Sequence, residues 1–310
     1  VTVPNDTVFQ LELFREMLPV KLLKPVQESS NRLLLPFEGK PKSGDIKVSV
    51  RNGQENVPAI VTRFPQKDSL QVWLPRGLKA DSLQVAAEYA GKKTDFNVKI
   101  KEMKAADSLS VAAVQRGSIN FRDTFTLTAS TPVTAIDVSR INILRKDSTA
   151  VAFTHQYDDM EQKLQLKFEK GENENYAITL FPGALKDFYG KENDTLKYKL
   201  ATRALTDYGN LRVTVQNVER FPFILQLTDE KGDVKASYYS EKETQINFDA
   251  IEPNKYILRF IYDDNRNGEW DSGNLLEKRQ AEEVIYYPAK PNVIDVRANW
   301  DVEEQFSPGG

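Results

Sequence analysis

The stretch "NYAITLFPGALKDFYGKENDTLKYKLATR" (residues 175–203) sets two alternating runs around a turn-rich centre. In "YAITLF" (176–181) and "LKYKLAT" (196–202) bulky apolar residues recur at every second position. That is the period of a strand with one buried face, because successive side chains point to opposite sides of a sheet. Between the runs stand Pro182, Gly183, Asp187, Gly190 and Asn193. Gly183 and Gly190 can take positive φ in turns, and Asp187 can accept backbone N–H bonds in an Asx-turn. The stretch predicts two strands and their turns, not a helix.

The same texture runs through the chain. It recurs in "TVFQLELF" (7–14), "DIKVSV" (45–50), "LQVWL" (70–74), "LQVAAEY" (83–89) and "FNVKIK" (96–101). It continues in "TFTLTA" (124–129), "KLQLKF" (163–168), "LRVTV" (211–215), "ILQL" (224–227) and "YILRFIY" (256–262). Short strands at near-regular spacing, parted by Gly, Pro, Asn and Asp clusters, predict β-sandwiches. "KEMKAAD" (101–107) and "TRALTDYGN" (202–210) lack strand patterning and mark breaks. The expectation is an all-β chain of three modules, residues 1–103, 104–204 and 205–310, each near the size of an immunoglobulin-like sandwich. A loose internal echo supports related modules: "KDSLQVWLPRGLKADSLQVAAEY" repeats the strand, "GL" turn and Asp-Ser/Thr-Leu order of the 175–203 stretch.

The middle segment resembles the bacterial Ig-like domain of the surface-layer-protein type. Tyr176, Ile178, Leu180, Gly183, Leu185, Asp187, Gly190 and Thr202 carry the resemblance. The last segment resembles a transthyretin-like or carboxypeptidase-regulatory-like sandwich through "LRVTVQN", "FILQLTDEKGDVK" turning at Gly232, "FDAIEPNKYILRFIYDDNRNGEWDSG" and "VIDVRANWDVEEQF". Together they look like part of an Ig-like-domain envelope lipoprotein of the Bacteroidetes. The resemblance implies tandem Ig-like sandwiches followed by a C-terminal transthyretin-like β-sandwich, in an extracytoplasmic, outer-membrane-anchored protein.

Composition narrows the functions. The 310 residues carry a net charge of −3, so nothing neutralises phosphates and nucleic acid is not an expected partner. Without Cys there are no disulfides, thiolate metal sites or thiol nucleophiles. No apolar run approaches the ~18 residues of a membrane helix. The chain begins at Val1, so it reads as a processed fragment, with any secretion signal or lipid-bearing Cys upstream. Membrane association is then expected only through that anchor.

One stretch invites a ligand, "YDDNRNGEWDSGN" (262–274). In an EF-type loop, oxygen ligands stand at positions 1, 3, 5 and 9, a backbone carbonyl at 7, and Gly at 6. With Asp263 at position 1, Asn265, Asn267, Gly268, Glu269 and Asp271 fall at 3, 5, 6, 7 and 9. Position 12 departs, with Asn274 in place of the bidentate Glu, and Glu277 lies beyond the register. Similar loops sit between strands in staphylococcal-type adhesin repeats. Asn-Gly is equally a hairpin signal, and Asx side chains hold a loop without any ion. Structural Ca2+ on Asp263, Asn265, Asn267, Glu269 and Asp271 and an ion-free turn both remain open. Trp270 reads either as a stacking platform or as a lid folded over the sandwich.

Catalytic signals are sparse. His155, in "FTHQYDD", is the single histidine, with no nucleophile-elbow pattern beside it. It reads as a solvent-facing strand or turn residue. Asp158–Asp159 and Glu252 are possible carboxylate partners, but among 45 acidic residues the sequence singles out no pair, and "GKPKSG" (39–44) lacks phosphate-loop spacing. No catalytic residue is assigned, and the chain is expected not to be an enzyme.

Asp-Ser/Thr followed by an aliphatic residue or Thr occurs six times, where ordinary composition gives about one or two. The pattern resembles the O-glycosylation acceptors of Bacteroidetes exported proteins, with Thr7, Ser69, Ser82, Ser108, Ser148 and Thr195 as acceptors. The competing reading is strand-start chemistry, where Asp and Ser end a turn and an apolar residue opens a strand. The function expected overall is a non-enzymatic cell-envelope adhesion, scaffold or spacer element, with an envelope protein or surface glycan as partner. The alternatives are glycan binding through Trp73, Trp270 and Trp300, and an envelope hydrolase with convergent carboxylates.

Overall fold

A computed structural model describes residues 19–42, 44–64, 67–103, 107–273, 278–287 and 292–308. "TVFQLELF", Thr7, Asn274 and Glu277 lie outside the described residues. The described chain is all-β, in tandem Ig-like sandwiches, with two short 3-10 turns at Val138–Arg140 and Leu205–Asp207 and no α-helix. None of its helices is long and apolar enough to cross a membrane.

Alternation becomes burial where one sheet face is covered. In Lys163–Phe168 the side chains of Leu164, Leu166 and Phe168 are buried while Gln165 and Lys167 face water. Three clusters of buried apolar residues result. The first spans Leu33 to Val98, the second Ala113 to Leu200, the third Leu211 to Phe306. Fully burying one such side chain contributes roughly 1.5–3 kcal/mol.

The chain divides into two compact units. Pro19–Leu205 forms one, and the second begins at Thr206. Pro19–Leu205 thus holds both of the first two sandwiches. Between them, Lys101 and Asp107 are bonded to the first sandwich. Gln27 bonds the backbone of Lys101 in both directions, and Asp107 accepts from Ser29 and pairs with Arg32 at 3.2 Å.

In the first sandwich, Arg32–Glu38, Ser69–Trp73 and Ile60–Arg63 run antiparallel in one sheet, facing Glu55–Val57, Lys47–Asn52, Ser82–Tyr89 and Lys92–Lys99. Ser69–Trp73 departs from the half-buried strand predicted for "LQVWL": all five residues are buried. Leu70 and Val72 fill the core, while Ser69, Gln71 and Trp73 on the other face are 2%, 4% and 0% exposed. Thr62 and Leu34 beside them are also buried. Two turns of the second sandwich meet this sheet at its two ends. Arg63 N donates to Met160 O at 2.7 Å, and the Tyr189 phenol reaches Leu74 O at 3.3 Å. Both faces of the Ser69–Trp73 strand are thus buried.

The second unit has its own two sheets. Gln245–Ile251, Gly209–Val215 and Asp301–Phe306 form one, the last pair parallel. Val234–Ser240, Phe223–Thr228, Asn254–Tyr262 and Val284–Tyr286 form the other. Its core is aromatic: Phe223 stacks on Phe260 at 4.6 Å and Tyr262 meets Phe260 edge-on at 4.8 Å. The long strand Asn254–Tyr262 runs out of this core directly into the Asp/Asn loop.

Candidate functional site

The loop from Asp263 to Glu283 joins two paired strands, with Ile261 opposite Val284. Its two ends are clamped by one side chain. Arg220 bonds Asp264 at 2.7 Å and Glu283 at 3.2 Å, and its guanidinium lies 3.7 Å from the centre of the Tyr262 ring. These hydrogen bonds, Asp264's foremost, hold the Arg220 charge even more firmly than usual.

Inside the clamp, Asp263 is 0% exposed. Its carboxylate accepts from the backbone N–H of Asn267 at 3.1 Å and Gly268 at 2.8 Å. A buried carboxylate needs such donors, because an unpaired one costs several kcal/mol (~1–3 even in mutational data for neutral groups). Gly268 takes φ +79 so that its N–H can point inward, and Arg266 also stands at positive φ. The Asn-Gly pair is therefore not the two-residue hairpin turn its sequence suggests; it bends a long loop.

The amides continue the network. Asn265 accepts from Asn267 N at 3.0 Å and donates to Asp271 at 2.6 Å. Asn267 accepts from Glu269 N at 2.8 Å and also donates to Asp271. Glu269 itself is exposed. Glu282 was missed from sequence. It is buried, accepts from Asp271 N at 3.0 Å and Asn265 N at 3.4 Å, and returns a backbone bond to Asp271 O. Burial, reinforced by the charges of Asp263 and Asp271, pushes its carboxyl above the usual range against those backbone bonds. No local motif marks Glu282, which reaches the loop only because the chain doubles back. Gly273 permits that return, since a Cβ there would meet Ala281 N and Arg279 O at 3.0 Å.

The donor set is all oxygen, which suits Ca2+. The arrangement itself is an Asx-turn network in which each of these carboxylates already accepts N–H bonds. Among the described residues no group of three or more Asp, Glu or His side chains stands ready to hold a metal. A cation would require the Asn265 and Asn267 oxygens to turn inward. Trp270 folds back, half-buried, with Nε1 donating to Glu282 O at 3.1 Å.

The remaining candidates are scattered. Trp73 is a fully buried residue whose Nε1 bonds Thr62 Oγ1 at 2.8 Å, with Arg32 over its ring, so the stacking-platform reading fails there. Trp300 is 50% exposed and carries Arg297 at 4.9 Å from its ring centre. His155 is exposed on Phe153–Asp158. Asp158 caps its turn by accepting from Met160 N and Glu161 N.

Among the described Asp-Ser/Thr sites, Ser108, Ser148 and Thr195 are exposed and Ser82 is half-buried. Ser69 is corrected as an acceptor: at 2% exposure its hydroxyl has no room for a sugar in the folded chain. Ser69 and Ser82 open strands, and Thr195 immediately precedes Leu196–Ala201, as strand-start chemistry requires.

No protein-family model and no curated protein sequence matches the chain. Solved structures do. An I-band fragment of titin, I67–I69, is 12% identical over 80% of this chain and 95% of its own, with a TM-score of 0.20. SGBP-B of the Bacteroides ovatus mixed-linkage glucan utilization locus, solved with a heptasaccharide, is 11% identical over 87% and 70%, with a TM-score of 0.26. Tandem Ig repeats of Dlar are 15% identical over 60% and 98%, with a TM-score of 0.20. Likeness at this level carries no functional argument.

Proposed function

We propose that the chain is a non-enzymatic cell-envelope element that spaces or presents a neighbouring part of the envelope. The observation that carries this reading is the union of two sandwiches in Pro19–Leu205 into one compact unit, with Lys101 and Asp107 between them bonded to the first sandwich. A spacer transmits position only if its modules do not swivel. The resemblance to Bacteroidetes envelope lipoproteins and the exposed Ser108, Ser148 and Thr195 hydroxyls support an extracytoplasmic, lipid-anchored setting. The third sandwich is assigned to the transthyretin-like type on the same resemblance.

Glycan binding is the rival, and Trp300 is the residue that favours it. Titration of the chain with envelope polysaccharide fragments, followed by tryptophan emission, decides between them. The spacer reading expects no saturable change. A saturable change abolished by Trp300→Ala would overturn it in favour of a glycan-binding module.

A second reading concerns the loop. The all-oxygen set of Asp263, Asp271 and Glu282 with Asn265, Asn267 and the Glu269 carbonyl favours Ca2+ once the two Asn oxygens turn inward. Affinity in the ~10⁻⁴–10⁻³ M class of extracellular modules is expected. A melting temperature that rises with millimolar calcium over EGTA, and no longer does so in Asp271→Ala, is the expected result. Identical melting in both buffers would leave the loop an ion-free turn.

A further inference from the structure

We propose that Tyr189 is a latch that locks the second sandwich onto the first, so that residues 19–205 behave as one rigid body.

The latch stands on a turn that holds itself. Asp187 is 1% exposed, and its carboxylate accepts from Thr131 Oγ1 at 2.9 Å, Tyr189 N at 2.9 Å and Lys191 N at 2.8 Å. Gly190, at φ +76, returns its N–H to Asp187 O. Every bond that shapes the turn is therefore made by the backbone or by Asp187. The Tyr189 side chain makes none of them and is free to project outward.

What it meets belongs to the first sandwich. Its phenol oxygen accepts from Asn31 Nδ2 and can donate to Leu74 O at 3.3 Å. Asn31 is 1% exposed and is fixed in turn: its Oδ1 accepts from Ser29 and Ser30, and its carbonyl holds Leu74 N at 2.8 Å. Arg76 covers the Tyr189 ring at 4.5 Å and bonds Asp107 O at 2.7 Å. Thus one phenol touches the first sandwich at two strand ends, and its cap is tied to the segment that joins the sandwiches. Burial pushes the phenol up to about 12, so it remains a donor throughout the neutral range.

A second contact prevents rotation about the first. At the far end of the same sheet, Met160 packs into the first core while its carbonyl accepts from Arg63 N. One point of attachment leaves a swivel; two at opposite ends of a sheet do not. Between the two contacts lie the buried Trp73 and Gln71.

The absence of Cys makes the test direct. Lys93→Cys and Ser148→Cys place one spin label on each sandwich of the full chain, both at exposed positions. Pulsed dipolar spectroscopy of the parent should give one narrow distance peak. Tyr189→Ala should broaden it, and Tyr189→Phe, which keeps the ring under Arg76 but loses both phenol bonds, should fall between. Arg76→Ala, which leaves the 187–191 turn untouched, should broaden it as well and covers the case in which Tyr189→Ala misfolds. A broad distribution in the parent, or a peak that stays narrow in both Tyr189→Ala and Arg76→Ala, overturns the proposal.

Discussion

Replacing Asp263 with Ala removes the one carboxylate on which the loop turns. Two backbone N–H groups, of Asn267 and Gly268, lose their acceptor. Hydrogen bonds to a charged group are worth about 1.5–3 kcal/mol each. Two terms reduce the sum. Gly268 is exposed and Asn267 half-exposed, so water can replace part of what is lost. Removing the charge also relieves repulsion with Glu282, whose carboxyl Asp263 helps to push up. The net expected loss is about 2 kcal/mol. For a unit of about 100 residues each kcal/mol moves the midpoint by ~4–8 °C, so the second unit's transition should fall by roughly 10 °C. Asp263→Asn keeps one oxygen for Gly268 N–H and also removes the charge, and should cost less than half as much. Calorimetry of the full chain resolves the effect, with Trp270 emission as a local reporter because its indole bonds Glu282 O. Equal stability of Asp263→Ala and parent would refute the account of the loop. A loss as large in Asp263→Asn as in Asp263→Ala would assign the effect to the bond from Asn267 N–H, which both variants lose.

The remaining expectations are briefer. Glu282 has a folded pKa raised above its unfolded value, so the stability it contributes is full below about pH 4.3 and lost as pH rises through the folded value. Glu282→Gln should therefore melt higher than the parent at pH 7 in EGTA, with the gain vanishing in acid, and should abolish any calcium response. Burial pushes the phenols of Tyr157, Tyr189 and Tyr287 up to about 12. Their contribution is full below the unfolded value of about 10 and lost as pH rises through about 12, so near-ultraviolet phenolate absorbance should appear together with unfolding. Trp73→Ala should cost about 3–5 kcal/mol in the unit 19–205, while Trp73→Phe loses chiefly the bond to Thr62 and should cost less, as urea titration would show. Gly273→Ala drives a Cβ against Ala281 N and Arg279 O and should detach the Glu282 arm, releasing Trp270 to a red-shifted emission.

How much of this was legible depended on distance along the chain. The β class and most strands follow from local alternation, because one covered face leaves a period of two in the sequence. Asp187, Gly183 and Gly190 were likewise legible as turn residues, since their work is done within a few positions of themselves. Ser69–Trp73 was not legible as a strand buried on both faces. Its polar members, Ser69, Gln71 and Thr62 across from it, are the residues of a half-exposed strand, yet all three are buried. Tyr189 shows the same limit from the other side: it occupies an unspecified position in a turn motif, and its partners Asn31 and Arg76 lie more than a hundred residues earlier. Glu282 completes the pattern, because a carboxylate on the returning arm of a loop has no fixed spacing from the arm it meets. Periodicity records what a residue does within its own sheet. What covers that sheet, and which carboxylate closes a loop, is decided by contacts between segments whose separation the folding of the chain, not the motif, sets.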